Sequence, residues 1–183
     1  MDLASRGGKI YIACRDKERA ENALMEIRSR SGSENVFFLQ LDLASMDSIR
    51  NFSRAFHEIE DRLDVLINNA GVMAIPKSFT SDGFEMHMGV NHIGHFLLTD
   101  LLVDLLKKSA PSRIVNVSSA LHGIGTISKR NFFGEKYYNR WLAYANSKLA
   151  NILFTLELAK RLKNSKVTVN VLHPGSAIGL IIN

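Results

Sequence analysis

The sequence predicts an α/β fold, a doubly wound and mostly parallel sheet with helices connecting its strands. Short β-rich runs alternate with stretches of helical periodicity along the whole chain. Most of those runs are continuously apolar, as strands buried on both faces are. No repeat, low-complexity tract or composition break divides the chain, so residues 1–183 are expected to form a single domain.

Each element has a local reason. Leu3 to Arg6 followed by Gly7-Gly8 resembles the last turn of a helix with a glycine stop. One turn cannot sustain a helix, so the chain is expected to begin inside an element. Residues 9–14 form a first strand ending at Arg15-Asp16. Ala20, Ala23, Leu24 and Ile27 give residues 17–30 a helical period, closed by Ser31-Gly32-Ser33. Residues 36–41 are a second strand ending at Asp42, and Ser45 is placed to cap a helix carrying Ile49, Phe52, Phe56 and Ile59. Residues 63–67 form a third strand running into Asn68-Asn69-Ala70-Gly71. A loop with Pro76 leads to a long helical stretch, 82–108, and residues 113–117 form a fourth strand ending at Ser118-Ser119. The helix at 141–163 is marked by Leu142, Leu149, Ile152, Leu153, Leu156, Leu158 and Leu162, with neither Gly nor Pro inside it. Residues 167–172 are a fifth strand, closed by His173-Pro174-Gly175.

Composition narrows the function. Hydrophobic residues make up 46% and charged residues 22%, as in an ordinary globular protein. The net charge of +5 is spread along the chain without a dense basic run, which argues against nucleic-acid binding. Cys14 is the only cysteine, so no internal disulfide is expected and an intracellular, reducing compartment fits. No apolar run reaches the roughly 18 to 20 residues of a membrane span, so no anchor is expected within this chain. His87, His92, His95, His122 and His173 share no ligand spacing with cysteine or carboxylates, so no metal site is expected.

The chemistry gathers at the carboxyl ends of the strands, where ligands of doubly wound sheets sit. Those ends carry Arg15, Asp42, Asn68 with Ala70 and Gly71, Ser118-Ser119, and Pro174-Gly175. The helix at 141–163 adds Tyr144 and Lys148, four residues apart and therefore on one face. A phenol with a pKa of about 10 is a poor base at neutral pH, but a nearby ammonium favours the phenolate. A fall of about 3 units corresponds to roughly 4 kcal/mol, and a tyrosine so placed can exchange protons at working pH.

Together Asn68-Asn69-Ala70-Gly71, Asn91 within Val90 to Phe96, Ser119 after Ile114 to Ser118, Tyr144-x-x-x-Lys148 and Pro174-Gly175 resemble the short-chain dehydrogenases/reductases. Residues 82–85, 90–96 and 147–154 are similar to the retinol dehydrogenase branch. The resemblance covers roughly residues 3–175 and implies a Rossmann-like fold. It further implies that Tyr144 passes a proton to or from the substrate oxygen while hydride moves to or from a nicotinamide. Lys148 would lower the Tyr144 pKa and bond the nicotinamide ribose, Ser119 would hold the substrate oxygen, and Asn91 would position a water in a proton relay. Asn68, Ala70, Gly71, Pro174 and Gly175 would border the cofactor, and Asp42 would contact its adenine. Arg15 favours the 2′-phosphate of NADP over NAD, although Asp16 follows it.

Against the family pattern, the glycine-rich sequence Thr-Gly-x-x-x-Gly-x-Gly does not occur in these 183 residues, and the strand that precedes it in the family is missing too. In the family's sheet that strand lies between those assigned to 9–14 and 63–67. The stretch Ser176 to Asn183 also departs from the family, which continues with a substrate-covering lobe. Without the pyrophosphate seat, weak NADP binding and slow or absent turnover are expected.

The expected activity is NADP-dependent interconversion of an apolar, retinoid-like alcohol and its aldehyde or ketone. The rival expectation is a non-catalytic truncated isoform or relative that pairs with a full-length homologue, because the helices of Asn91 and Tyr144 form a subunit interface in many family members. A homo-oligomer fits the same surface. Family members are often associated with endoplasmic reticulum or mitochondrial membranes. The loop 121–140, with Phe132, Phe133, Tyr137 and Tyr138, suggests an apolar pocket wall, although aromatics in such a loop more often simply pack.

Overall fold

The computed structural model describes residues 1–175, and the expected departure of the tail 176–183 from the family lies outside them. The chain divides into two compact units, the first Met1–Asp42 and the second beginning at Leu43. All pairs among the described strands are parallel, and the fold is Rossmann-like α/β.

The first unit runs α1 (Asp2–Ser5), β1 (Ile10–Cys14), α2 (Lys17–Ser31) and β2 (Val36–Gln40). Asp16 caps α2 by accepting from the Arg19 amide, and Gly32 ends it in the left-handed region at φ 68°. β1 pairs with β2 from Ile10 opposite Val36 to Cys14 opposite Gln40. Ala20 and Val36 are buried, and the Tyr11 and Phe37 rings stack at 5.3 Å.

The second unit contains α3 (Met46–Ile59), β3 (Val65–Asn68), α4 (Met86–Met88), a π turn (Gly89–Gly94) and α5 (His95–Lys108). β4 (Ser112–Val117), a 3-10 turn (Ala120–Ile124), α6 (Arg140–Arg161) and β5 (Val167–Leu172) complete it. Its sheet has the order β3-β4-β5. Among the described strands, β1 and β3 each have one ladder partner. The core on one sheet face joins Leu106 of α5, Ile114, Val167 and Leu162, with Leu66, Val103, Leu158 and Val169 packed against it. The opposite face presents Val65, Ile67 and Leu172, exposed at 41%, 48% and 44%. Both helices adjoining these strands pack on the same side, which leaves alternate strand residues uncovered. No described helix is long and apolar enough to cross a membrane.

Boundaries differ where side chains compete with backbone. The third strand starts at Val65 because the Leu63 amide donates to Ser109 Oγ at 2.8 Å. Ser45 caps α3 as expected, accepting from the Ser48 amide at 3.2 Å. The long helical stretch starts at Met86 because the Glu85 carboxylate accepts the His87 and Met88 amides. It then passes through the π turn, where Gly94 packs so closely that a Cβ would lie 2.7 Å from the Leu43 carbonyl oxygen.

Candidate active site

Asn139 starts α6 by accepting from the Trp141 and Leu142 amides. Tyr144 and Lys148 then fall one turn apart, with Lys148 Nζ 5.6 Å from the centre of the Tyr144 ring. Lys148 is 4% exposed, and burial lowers its ammonium pKa to about 8. Its Nζ donates to the Val117 carbonyl at 3.0 Å, the one partner it has among the described residues. Two of its three donors therefore remain for a ligand. The Tyr144 hydroxyl makes no hydrogen bond among the described residues.

The end of β4 is tied to this helix, since Ser118 Oγ donates to the Lys148 carbonyl at 2.8 Å. Ser119 follows and caps the 3-10 turn, its Oγ accepting from the Leu121 amide at 3.3 Å. Asn91 lies in the π turn and is fully buried. Its side chain accepts from the Val72 amide at 2.8 Å and donates to the Val72 carbonyl at 2.9 Å. It also donates to Ser147 Oγ at 2.9 Å, whose hydroxyl donates to the Tyr144 carbonyl at 2.7 Å. The Asn91 carbonyl accepts from Asn151 Nδ2 and His95 Nδ1, each at 3.0 Å. Asn151 Nδ2 also reaches the Val117 carbonyl that holds Lys148. A π turn frees backbone from the regular ladder, and such turns recur at functional sites.

Gly71 borders the same groups: a Cβ there would lie 3.0 Å from Asn91 Oδ1 and 3.5 Å from Lys148 Nζ. Ala70 is exposed beside it, and Pro174 and Gly175 are exposed after β5. Asn68 is buried in the core instead, its Nδ2 donating to Thr99 Oγ1 at 3.0 Å and Asn116 Oδ1 at 2.8 Å. The second unit thus brings together Tyr144, Lys148, Asn91 and Gly71, with Ser119 one residue beyond the Ser118 tie. Arg15 and Asp42 belong to the first unit, following β1 and β2.

Sequence reasoning missed Ser147, Asn151 and the buried Glu85 and His87. Ser147 and Asn151 share the helical face of Tyr144 and Lys148, and that spacing was the available signal. A cavity of about 200 Å³ lies between the opposite face of α6 at Leu142, Ala143 and Asn146 and the loop bearing Phe132, Tyr137 and Tyr138. Phe133, also expected in its wall, packs on Phe84 at 5.3 Å instead. His92 and His95 are pulled below the ordinary histidine range by burial, His95 to about 4.

The sequence model of the short chain dehydrogenases matches residues 1–177. The chain belongs to this family. Among the short-chain dehydrogenases it is 58% identical over 175 residues to retinol dehydrogenase 11 of Homo sapiens, covering 96% of this chain and 55% of that protein. It is 55% identical to human retinol dehydrogenase 12 over 174 residues, 95% of this chain and 55% of that protein. The chain therefore spans about half the length of these relatives. Among solved structures, an uncharacterized protein of Mycobacterium paratuberculosis aligns with TM-score 0.83 at 40% identity, over 96% of this chain and 62% of that one. RhlG of Pseudomonas aeruginosa, solved as an NADP active-site complex, aligns with TM-score 0.73 at 29% identity, over 93% of this chain and 64% of its own.

The second unit offers hydrogen-bond donors to a nicotinamide dinucleotide, the cofactor its family implies. Lys148 keeps two donors for hydroxyl groups, and the missing side chain at Gly71 lets Asn91 and that ammonium approach its backbone. The sequence holds no glycine-rich loop to match the pyrophosphate.

Proposed function

We propose that this chain is an NADP-dependent oxidoreductase acting on an apolar, retinoid-like alcohol and its aldehyde or ketone. The buried Lys148 ammonium facing the Tyr144 ring, with the Tyr144 hydroxyl unbonded among the described residues, carries the reading. The similarity to retinol dehydrogenases supports the substrate class. A nicotinamide dinucleotide, when bound, supplies or takes up the hydride. In this reading Tyr144 Oη exchanges the proton with the substrate oxygen, and Ser119 Oγ holds that oxygen as charge develops on it. Lys148 keeps positive charge beside the phenol and bonds the ribose. Asn91 orients a water feeding the relay, held rigid by Val72 and Ser147.

Ala70, Gly71, Pro174 and Gly175 border the cofactor, and Asn68, bonded to Thr99 and Asn116 in the core, holds the end of β3 behind them. Arg15 takes the 2′-phosphate, favouring NADP over NAD, and Asp42 contacts adenine. The free thiol of Cys14 suits an intracellular, reducing compartment. In this reading residues 1–183 work as one cofactor-binding and catalytic domain. The test is reduction of all-trans-retinal with excess NADPH. Slow turnover by the parent that falls at least 100-fold in Tyr144→Phe supports the reading, and equal rates in the two refute it.

A second reading has its own support: the chain acts by pairing with a full-length homologue. The outer faces of α5 and α6 expose Phe96, Leu153 and Leu156 at 48%, 48% and 55%, and the Phe96 and Phe154 rings touch at 5.2 Å. The same patch serves a homo-oligomer.

A further inference from the structure

Next to Tyr144 lies a buried polar cluster that the proposed chemistry does not use. Glu85 and His87 are 2% and 0% exposed. Glu85 Oε1 accepts from His87 Nδ1 at 2.7 Å and from the His87 amide at 3.0 Å, and Oε2 accepts from the Met88 amide at 2.9 Å. His87 Nε2 lies 3.3 Å from the Ile75 amide, which can only donate. Nε2 is therefore the acceptor, and Nδ1 carries the proton given to Glu85. Burial pushes the Glu85 carboxyl up, but the hydrogen bonds from His87 and the two amides outweigh it and hold the group below its ordinary range. A single tautomer bonded at both nitrogens fixes the ring plane. That ring makes a T-shaped contact with Tyr144, with centroids 6.4 Å apart and planes at 71°.

The cluster also reaches the loop before α6. Tyr138 Oη donates to the Ile75 carbonyl at 3.1 Å and lies 3.4 Å from His87 Nδ1 and 3.5 Å from Glu85 Oε1. Burial and the Glu85 charge push the Tyr138 phenol up to about 12, so its hydroxyl stays a donor. An apolar pair would fill this space without desolvating a carboxylate. What the carboxylate and imidazole add is direction.

We infer that His87, locked by Glu85 and Ile75, is a positioning residue that sets the ring of Tyr144, and that Tyr138 links this setting to the loop of residues 125–139. The inference rests on the reading of Tyr144 as the proton carrier, and its test is separate from turnover. The full chain is made with ¹³C-labelled tyrosine, and Tyr144 is assigned among the four tyrosines by the signal lost in Tyr144→Phe. In the parent, nuclear Overhauser contacts link the His87 and Tyr144 ring protons. In His87→Gln, which keeps an N–H donor but removes the ring, the Tyr144 ring signals shift while those of Tyr11 stay in place. Unmoved Tyr144 signals in a folded His87→Gln chain overturn the inference. Should that variant not fold, the parent decides alone: the contacts with a slowed Tyr144 ring flip uphold it, and their absence with a freely averaging ring overturns it. Retinal reduction is scored separately, so a set ring without turnover sinks the enzymatic reading and leaves the positioning role intact.

Discussion

Lys148 concentrates the electrostatics of the second unit. It is 4% exposed, with one carbonyl partner among the described residues, and burial lowers its pKa from 10.5 to about 8. Between those two values the unfolded chain holds a proton that the folded chain has released. Stability contributed by this residue therefore rises with pH across that window, by roughly 3 kcal/mol in total. Urea titrations from pH 8 to 10.5 should show this rise in the parent and its absence in Lys148→Met. Equal slopes would mean the ammonium is hydrated rather than buried. The Tyr144-Lys148 pair was legible because a spacing of four places both residues on one helical face. The partners of Asn91 were not, because Val72 and Ser147 lie far from it in sequence and meet it through the π turn. Gly89 and Gly94 around Asn91 are the residues that hint at that turn.

At the scale of elements, buried amides and hydroxyls fasten β3, β4, α5 and α6 together. Asn68 donates to Thr99 and Asn116, and Asn116 donates to Thr155 at 2.8 Å. Thr99 and Thr155 return their hydroxyls to the His95 and Asn151 carbonyls, each at 2.7 Å. The ladder therefore runs from the sheet into the helix turns that hold the candidate site. Asn116→Ala leaves buried groups without partners and should cost about 2 to 4 kcal/mol in chemical denaturation. Asn170→Ala, on exposed β5 surface, should stay within about 0.5 kcal/mol. A loss below about 1 kcal/mol for Asn116→Ala would show that the ladder is not a fastening. The five strands were readable from their apolar runs. The start of the 86–108 stretch was not, because a carboxylate at Glu85 set it rather than hydrophobic period.

At the scale of the whole molecule, the family pattern is visible along nearly the whole sequence, while one face of the β3-β4-β5 sheet and the outer faces of α5 and α6 show apolar side chains to solvent. Continuous apolar strands predicted cover on both sheet faces. Side-chain pattern records what a strand is suited to meet, whereas cover depends on which elements cross it. If pairing with a full-length retinol dehydrogenase occurs, the two should co-purify, and Leu153→Glu with Leu156→Glu should abolish capture. Capture unchanged by both substitutions would remove α6 as the docking face. The enzymatic reading is decided most directly by NADPH-dependent reduction of all-trans-retinal, with the parent and Tyr144→Phe measured side by side. Slow reduction by the parent is expected, with a fall of at least about 100-fold in the variant; equal, measurable rates in both would rule out Tyr144 as the proton carrier.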